Sequence, residues 1–227
     1  MKIDKKLFWE NKIIGWEDIR YQRSEENFNF FESIVNRTNK TLIFRLETAF
    51  KSLLPYIKDK KVVELGCGSG FLSNEFIKMG ATSYTGYDIS EVAINRAKEK
   101  SDNIHKNKIN FFANTITNLS TLDADYVFSL GLTDWLSDEE LEHLFYITRN
   151  SHNLHSISEN RFSISQILHK LYVHFSYGRK SQSYVPRYYK TKKIEDLMKK
   201  NSNKEVCIFR HKKLSFGTLI SSFPIKI

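Results

Sequence analysis

The sequence predicts an α/β fold: a seven-stranded, mostly parallel sheet with an antiparallel C-terminal hairpin and helices on both faces. Three observations carry that expectation. Between residues 56 and 160, apolar runs of strand length alternate with stretches of helical spacing, the pattern that builds a parallel sheet through right-handed crossovers. A glycine-rich turn stands where the first strand hands over to a helix. Two β-like runs, EVCIFRHKKL and GTLISSFPI, close the chain with a few residues between them, including Ser215 and Gly217, which suits a hairpin.

The elements follow in order. An aromatic arm of mixed charge (Phe8, Trp9, Trp16, Tyr21) precedes residues 42–57, where Leu42, Leu46, Phe50, Leu53 and Leu54 recur at helical spacing. KVVELGCG is a buried strand with Val62, Val63 and Leu65, and FLSNEFIKMG a helix closed by Gly80. SYTGYDI is the second strand. Ser90 caps the helix after it, and Glu91 favours the positive end of that helix's dipole. INFFA and DADYVFSL are strands three and four, joined by a short polar loop. Asp138 starts a helix with an acidic first turn, and LHSISE is the fifth strand. Beyond 160 come an inserted helix, SISQILHKLYVHF, a loop rich in Tyr and Arg, and a helix, TKKIEDLMKK, with Thr191 as its cap. The organisation is an arm and helix over 1–55 as a candidate lid, a core over 56–160, a basic insert over 161–193 above the acceptor site, and a last helix and hairpin over 194–227.

Composition narrows the class. The 227 residues are 41% hydrophobic and 27% charged, with nine Gly, three Pro and no apolar run near membrane-span length, which excludes collagen-like, low-complexity and membrane-spanning chains. The opening MKIDKKLFWE lacks a signal-peptide apolar stretch, so a cytoplasmic protein is expected. Cys67 and Cys207 lie far apart, and neither a disulfide framework nor a metal site is expected. The net charge of +9 is uneven: 20 Lys/Arg stand against 23 Asp/Glu before residue 161, and 15 against 3 from there on. That excess fits an acidic partner: a nucleic acid, an anionic small molecule or a membrane surface.

The glycine run Gly66-Cys67-Gly68-Ser69-Gly70 follows Glu64 and Leu65. A dinucleotide fingerprint would need glycine where Phe71 stands, and a Walker loop would need a Gly-Lys-Ser/Thr ending, yet no lysine occurs between Lys61 and Lys78. What remains is a turn that lets the backbone approach a ligand, with Asp88 at the end of the next strand, 20 residues beyond Gly68, where a carboxylate accepts hydrogen bonds from ribose hydroxyls. The pattern suits a nucleoside without a pyrophosphate. Cys67 is read as a small packing residue.

Through VVELGCGSG (62–70), YDIS (87–90), NFFANTITNL (110–119) and DYVFSLGLTDWL (125–136), the sequence resembles the class I S-adenosylmethionine-dependent methyltransferases over residues 55–160. The resemblance implies their Rossmann-like sheet and S-adenosylmethionine as cofactor, leaving S-adenosylhomocysteine. It also implies roles. Gly66, Gly68 and Gly70 would floor the methionine part, and Glu64 would support its amino group. Asp88 would bind ribose, and Ile89 would pack on adenine. Leu130 and Gly131 would offer carbonyls to the amino group. Asn114 stands where many relatives carry an aspartate for the adenine amine, and an amide oxygen accepts the same bond.

For the acceptor, ligands gather at the carboxyl ends of parallel strands, which nominates Asp134 and Glu159 as catalytic acids or bases. In the insert, Arg179, Arg187, Tyr188 and Tyr189, with Trp16 and Tyr21 from the arm, suit capture of a charged group. The expected reaction is O-methylation of a small anionic acceptor: a phosphorylated, nucleotide-linked or sugar-linked metabolite, such as a precursor of surface polysaccharide. The alternatives are an RNA methyltransferase acting on ribose or ring nitrogen, and a cofactor-binding subunit without activity. SLGL stands where base-amine methylases carry Asn/Asp-Pro-Pro-aromatic, which argues against that chemistry.

Overall fold

A computed structural model describes residues 4–13, 15, 30–101, 107–177 and 184–226, with backbone alone at 30–39 and 176–177. Seven strands, β1 (Lys61–Leu65), β2 (Ser83–Asp88), β3 (Ile109–Ala113), β4 (Tyr126–Ser129), β5 (His152–Ser158), β6 (Cys207–Phe209) and β7 (Gly217–Ser221), form one sheet in the order β3-β2-β1-β4-β5-β7-β6. The first five are parallel, and β7 enters antiparallel between β5 and β6. The order reverses at β1, so the carboxyl ends of β1 and β4 flank the switch point where α/β sheets bind ligands.

Helices cover both faces. On one side, α2 (Phe30–Leu53), α3 (Ser73–Lys78) and α4 (Glu91–Lys100) bury Ala49, Leu53, Phe76, Ile94 and Ala97 against Val62, Tyr84, Phe128 and Leu154. On the other, α5 (Asp138–Ile147) and α7 (Thr191–Asn201) bury Leu141, Leu144, Phe145, Ile194 and Met198 against Val63, Leu65, Val127 and Ile157. Strand residues alternate between the two clusters, as the two-residue period of a pleated strand dictates. The short α1 (Lys5–Glu10) precedes this core, and α6 (Ile164–Tyr177) lies in the insert.

Local signals act largely as the sequence predicts. Ser90 Oγ accepts from the Ala93 amide at 3.2 Å, and Ser137 and Glu140 form a reciprocal capping box at α5. Two details differ. The α7 cap is Lys190, with no side-chain bond, because the Thr191 hydroxyl instead accepts from Arg210 Nη2 at 3.0 Å. Helix α2 begins at Phe30, earlier than the apolar spacing shows, and Leu54, beyond its last turn, is exposed.

Candidate cofactor and acceptor site

After β1 the backbone passes through Gly66, Gly68 and Gly70 with φ of 73°, 52° and 65°, the left-handed region that favours glycine. The loop is pinned from β2: the Gly66 and Cys67 amides both donate to the Tyr87 carbonyl, at 2.7 and 3.0 Å. At Gly70 space adds to conformation, since a Cβ there would stand 2.5 Å from the Phe111 ring. Cys67 is buried and packs where Gly86 leaves room.

Asp88 ends β2 half-buried, its Oδ2 accepting from the Gly68 amide and its Oδ1 from the Ser90 amide, each at 2.9 Å. An ionised carboxylate offers about four acceptor sites, and its two adjacent oxygens match a vicinal diol. Ile89 is half-buried beside it. The Asn114 amide donates to the Asp88 carbonyl at 2.8 Å while its side-chain oxygen accepts from Thr115 N at 2.9 Å. Asn114 lines a cleft of about 630 Å³ with Tyr87, Phe111, Phe112 and Leu119. Across the loop, Gly131 has φ 96° and donates its amide to Ser156 Oγ at 2.7 Å, with half-buried Leu130 before it. Glu64 is buried in β1 and accepts from the Tyr84 hydroxyl. Burial, reinforced by the Glu64 charge, pushes the Tyr84 pKa well above the phenol value and keeps it a donor. A nucleoside with a diol therefore fits the residues present, with Asp88 at the ribose and the glycine turn beneath the remainder.

The acceptor side is assembled differently. Asp134, in a 3₁₀ turn (Thr133–Trp135) after β4, is buried, and its oxygens accept from Ser158 N and Ser158 Oγ at 2.7 and 2.8 Å. Burial outweighs those bonds and the nearby Arg45 charge, pushing its pKa up to about 6. Arg45 from α2 reaches over the same turn: a Cβ on Gly131 would lie 3.3 Å from its Nη2. Tyr188 and His169 of α6 share a hydrogen bond of 2.6 Å, with Phe216 against both rings. Burial, with the Asp134 charge adding to it, pushes Tyr188 up to about 12.

The remaining nominated residues separate. Glu159 is held by Arg210 through two bonds of 2.8 Å and by Thr218 Oγ1 at 2.7 Å, and these donors lower its pKa. A carboxylate so committed anchors β7 and Arg210 to the end of β5 and is a poor proton acceptor, which corrects the expectation of catalysis there. Tyr189 is buried with its hydroxyl on the Leu136 carbonyl at 3.0 Å, and Arg187 pairs with Asp138 at 3.0 Å. Both face the α5 side, opposite to Tyr188, as neighbours in an extended segment must. Arg187 lines a groove of about 480 Å³ with Asn160, Lys190 and Lys193. Arg179, Trp16 and Tyr21 lie outside the described residues.

With this geometry in place, comparison with known proteins is informative. Residues 62–150 match the family model described as methyltransferase domain. Over that stretch the chain is similar to methyltransferase domains. The ribosomal protein L11 methyltransferase of Thermotoga neapolitana is 33% identical over 95 residues, 42% of this chain and 34% of that protein. The match thus spans about a third of the curated relative's length. Among solved structures, magnesium protoporphyrin IX methyltransferase from Synechocystis PCC 6803 with bound SAH superposes at a TM-score of 0.66, with 18% identity and 95% of each chain covered. An S-adenosylmethionine-dependent methyltransferase from Mesorhizobium loti gives a TM-score of 0.58, at 16% identity, over 78% of this chain and 96% of that one. At such identities the structural likeness concerns the fold.

Around the methyltransferase domain the N-terminal helix forms a bridge. Lys5 pairs with Glu140 at the start of α5 and Lys6 with Glu91 at the start of α4, so α1 spans the mouth at the carboxyl ends of β2 and β4. Beneath it Phe8, Trp9, Trp135 and Tyr184 pack ring to ring, with centroids 4.9–5.8 Å apart. Arg45, His169 and Phe216, which the structure brings beside Asp134 and Tyr188, were not nominated from the sequence. Only Arg45 carried a signal, standing beside the apolar stripe of Leu42, Leu46 and Leu53 on its helix.

Proposed function

We propose that the protein is an S-adenosylmethionine-dependent methyltransferase that methylates an oxygen of a small anionic acceptor in the cytoplasm: a phosphorylated, nucleotide-linked or sugar-linked metabolite. The observation that carries the cofactor half is the Asp88 carboxylate, fastened by the Gly68 and Ser90 amides at the rim of the glycine turn. S-Adenosylmethionine, when bound, supplies an electrophilic methyl group on a sulfonium. Asp88 holds the ribose, Ile89 and Asn114 take the adenine, and Glu64, the glycine turn, Leu130 and Gly131 surround the methionine part.

The chain's own part in the reaction is alignment, exclusion of water and removal of a proton. Positioning of this kind supplies about 7–11 kcal/mol where the geometry is held tightly. The α1 bridge and its aromatic rings close the mouth against solvent. Asp134, with its pKa near neutrality, takes the proton from a hydroxyl acceptor. Arg45 and Tyr188 hold the acceptor's charged end, and the cationic rim of Arg187, Lys190 and Lys193, beside Tyr189, draws the anion in. An assay across phosphorylated and sugar-linked acceptors tests the reading. Arg45→Ala raises the acceptor KM at least about tenfold with little change in cofactor affinity; an unchanged KM, or turnover on RNA alone, contradicts it.

A further inference from the structure

Helix α6 is amphipathic the wrong way round for a helix packed on a protein core. Among its described side chains Gln166 and Val173 are buried and His169 turns inward to Tyr188, whereas Ile164, Leu168, Leu171 and Phe175 form one stripe that faces solvent. At 100° per residue these four fall within about 40° of a common direction, opposite Val173. Phe162, just before the helix, is 94% exposed, Ile164 76% and Phe175 82%. An exposed, continuous apolar face of this kind marks an interaction surface.

Charge selects the partner. From residue 161 to residue 194 the chain carries eight Lys/Arg and no Asp or Glu; Arg161, Arg187, Lys192 and Lys193 are paired with Glu159, Asp138 and Asp196, and the net positive charge of the segment remains. His174 lies along one side of the stripe, with Lys170 behind it over the Tyr188 ring, and exposed Lys212 and Lys213 lie on the turn before Phe216, which contacts His169. A second copy of this chain would bring two like-charged faces together. An anionic lipid surface satisfies both features, because acyl chains take the stripe and headgroups take the cations. No helix among the described residues is long and apolar enough to cross a membrane, so contact through α6 is peripheral.

We infer that the outer face of α6 docks the protein on an anionic membrane surface, its axis parallel to the bilayer. The inner face of the same helix carries His169 toward Tyr188, so docking sets the acceptor side of the domain at the lipid. Partition onto lipid is read apart from turnover, and only the placement of the acceptor side rests on the function proposed above.

The test is flotation of the full chain with vesicles of equal parts phosphatidylglycerol and phosphatidylcholine, compared with phosphatidylcholine alone. The expected result is flotation with the anionic vesicles only, weakening as salt rises. Leu171→Glu with Phe175→Glu lowers the bound fraction at least about tenfold while the unfolding temperature stays unchanged, since both residues are exposed. A milder pair, Ile164→Ser with Phe175→Ser, keeps the test available should the charged pair misfold. Three results overturn the inference: no flotation at low salt, equal flotation of parent and variants, or a parent dimer in sedimentation that the variants dissolve. A loss of thermal stability in both pairs also overturns it, because the stripe would then be covered by the chain itself.

Discussion

The cofactor side and the acceptor side of this domain are built by different means. On the cofactor side the backbone makes the site: three left-handed glycines, two amides on the Tyr87 carbonyl and two on Asp88, all within residues 64–90. On the acceptor side the site is made of side chains from distant segments, with Arg45 from α2, Asp134 after β4, His169 from α6, Tyr188 from the insert and Phe216 before β7. The first arrangement depends on local conformation and tolerates little substitution. The second depends on tertiary packing and is free to change with the acceptor, as loop-borne sites on a rigid scaffold are.

The largest expected effect is on the acceptor side. Asp134→Asn lowers kcat by about 10²–10⁴-fold, and the parent enzyme's kcat/KM falls as pH drops below about 6, where Asp134 becomes protonated. A pH profile flat from 5 to 8 means the acceptor oxygen arrives already ionised and Asp134 has another role. Stability moves the opposite way. The folded-state pKa of Asp134 is raised, so its ionisation costs stability as pH rises from about 4 through 6. Asn at that position therefore raises the unfolding free energy at pH 8 by on the order of 2 kcal/mol, readable by thermal melts.

Next comes the backbone side. Gly70→Ala places a Cβ against Phe111 at a φ of 65°, and strain of both kinds costs about 2–4 kcal/mol. Urea unfolding checks this; a variant as stable as the parent would show that the turn has more freedom than its geometry implies.

The fold, the glycine turn and the position of Asp88 beside it were legible because their signals are local. Strand period, helix spacing, the Ser90 cap and the distance from Gly68 to Asp88 each lie within about 20 residues of chain. The acceptor side was not, since nothing near Arg45 in the sequence announces Asp134, 89 positions later. Glu159 and Asp134 show the limit most sharply. Both are carboxylates at strand ends, but Arg210, just after β6, and Thr218, in β7, turn one into an anchor. Thr191 failed as a cap for the same reason, its hydroxyl being taken by Arg210.

Smaller effects probe the core between the two sides. His155 is fully buried, bonded through Nδ1 to Ser129 Oγ at 2.9 Å, and burial pushes its pKa down to about 3. The folded state resists protonation that the unfolded chain accepts, so stability is complete above about pH 6.5 and declines as pH falls toward 3. His155→Leu flattens that decline, at a cost of about 1 kcal/mol at pH 8 from the unpaired Ser129 hydroxyl. An acid limb equal to the parent's would shift the cause to other groups. Smallest is the bridge: Lys5→Ala costs about 1 kcal/mol in melts, the pair with Glu140 being half-buried and still open to solvent screening.

The most direct measurement is isothermal titration of the purified chain with S-adenosylmethionine, beside Asp88→Ala and Arg187→Ala. The account predicts saturable one-to-one binding that Asp88→Ala weakens at least about 100-fold, about 3 kcal/mol, and that Arg187→Ala leaves intact. Absence of heat for the parent, or equal affinity in Asp88→Ala, contradicts it.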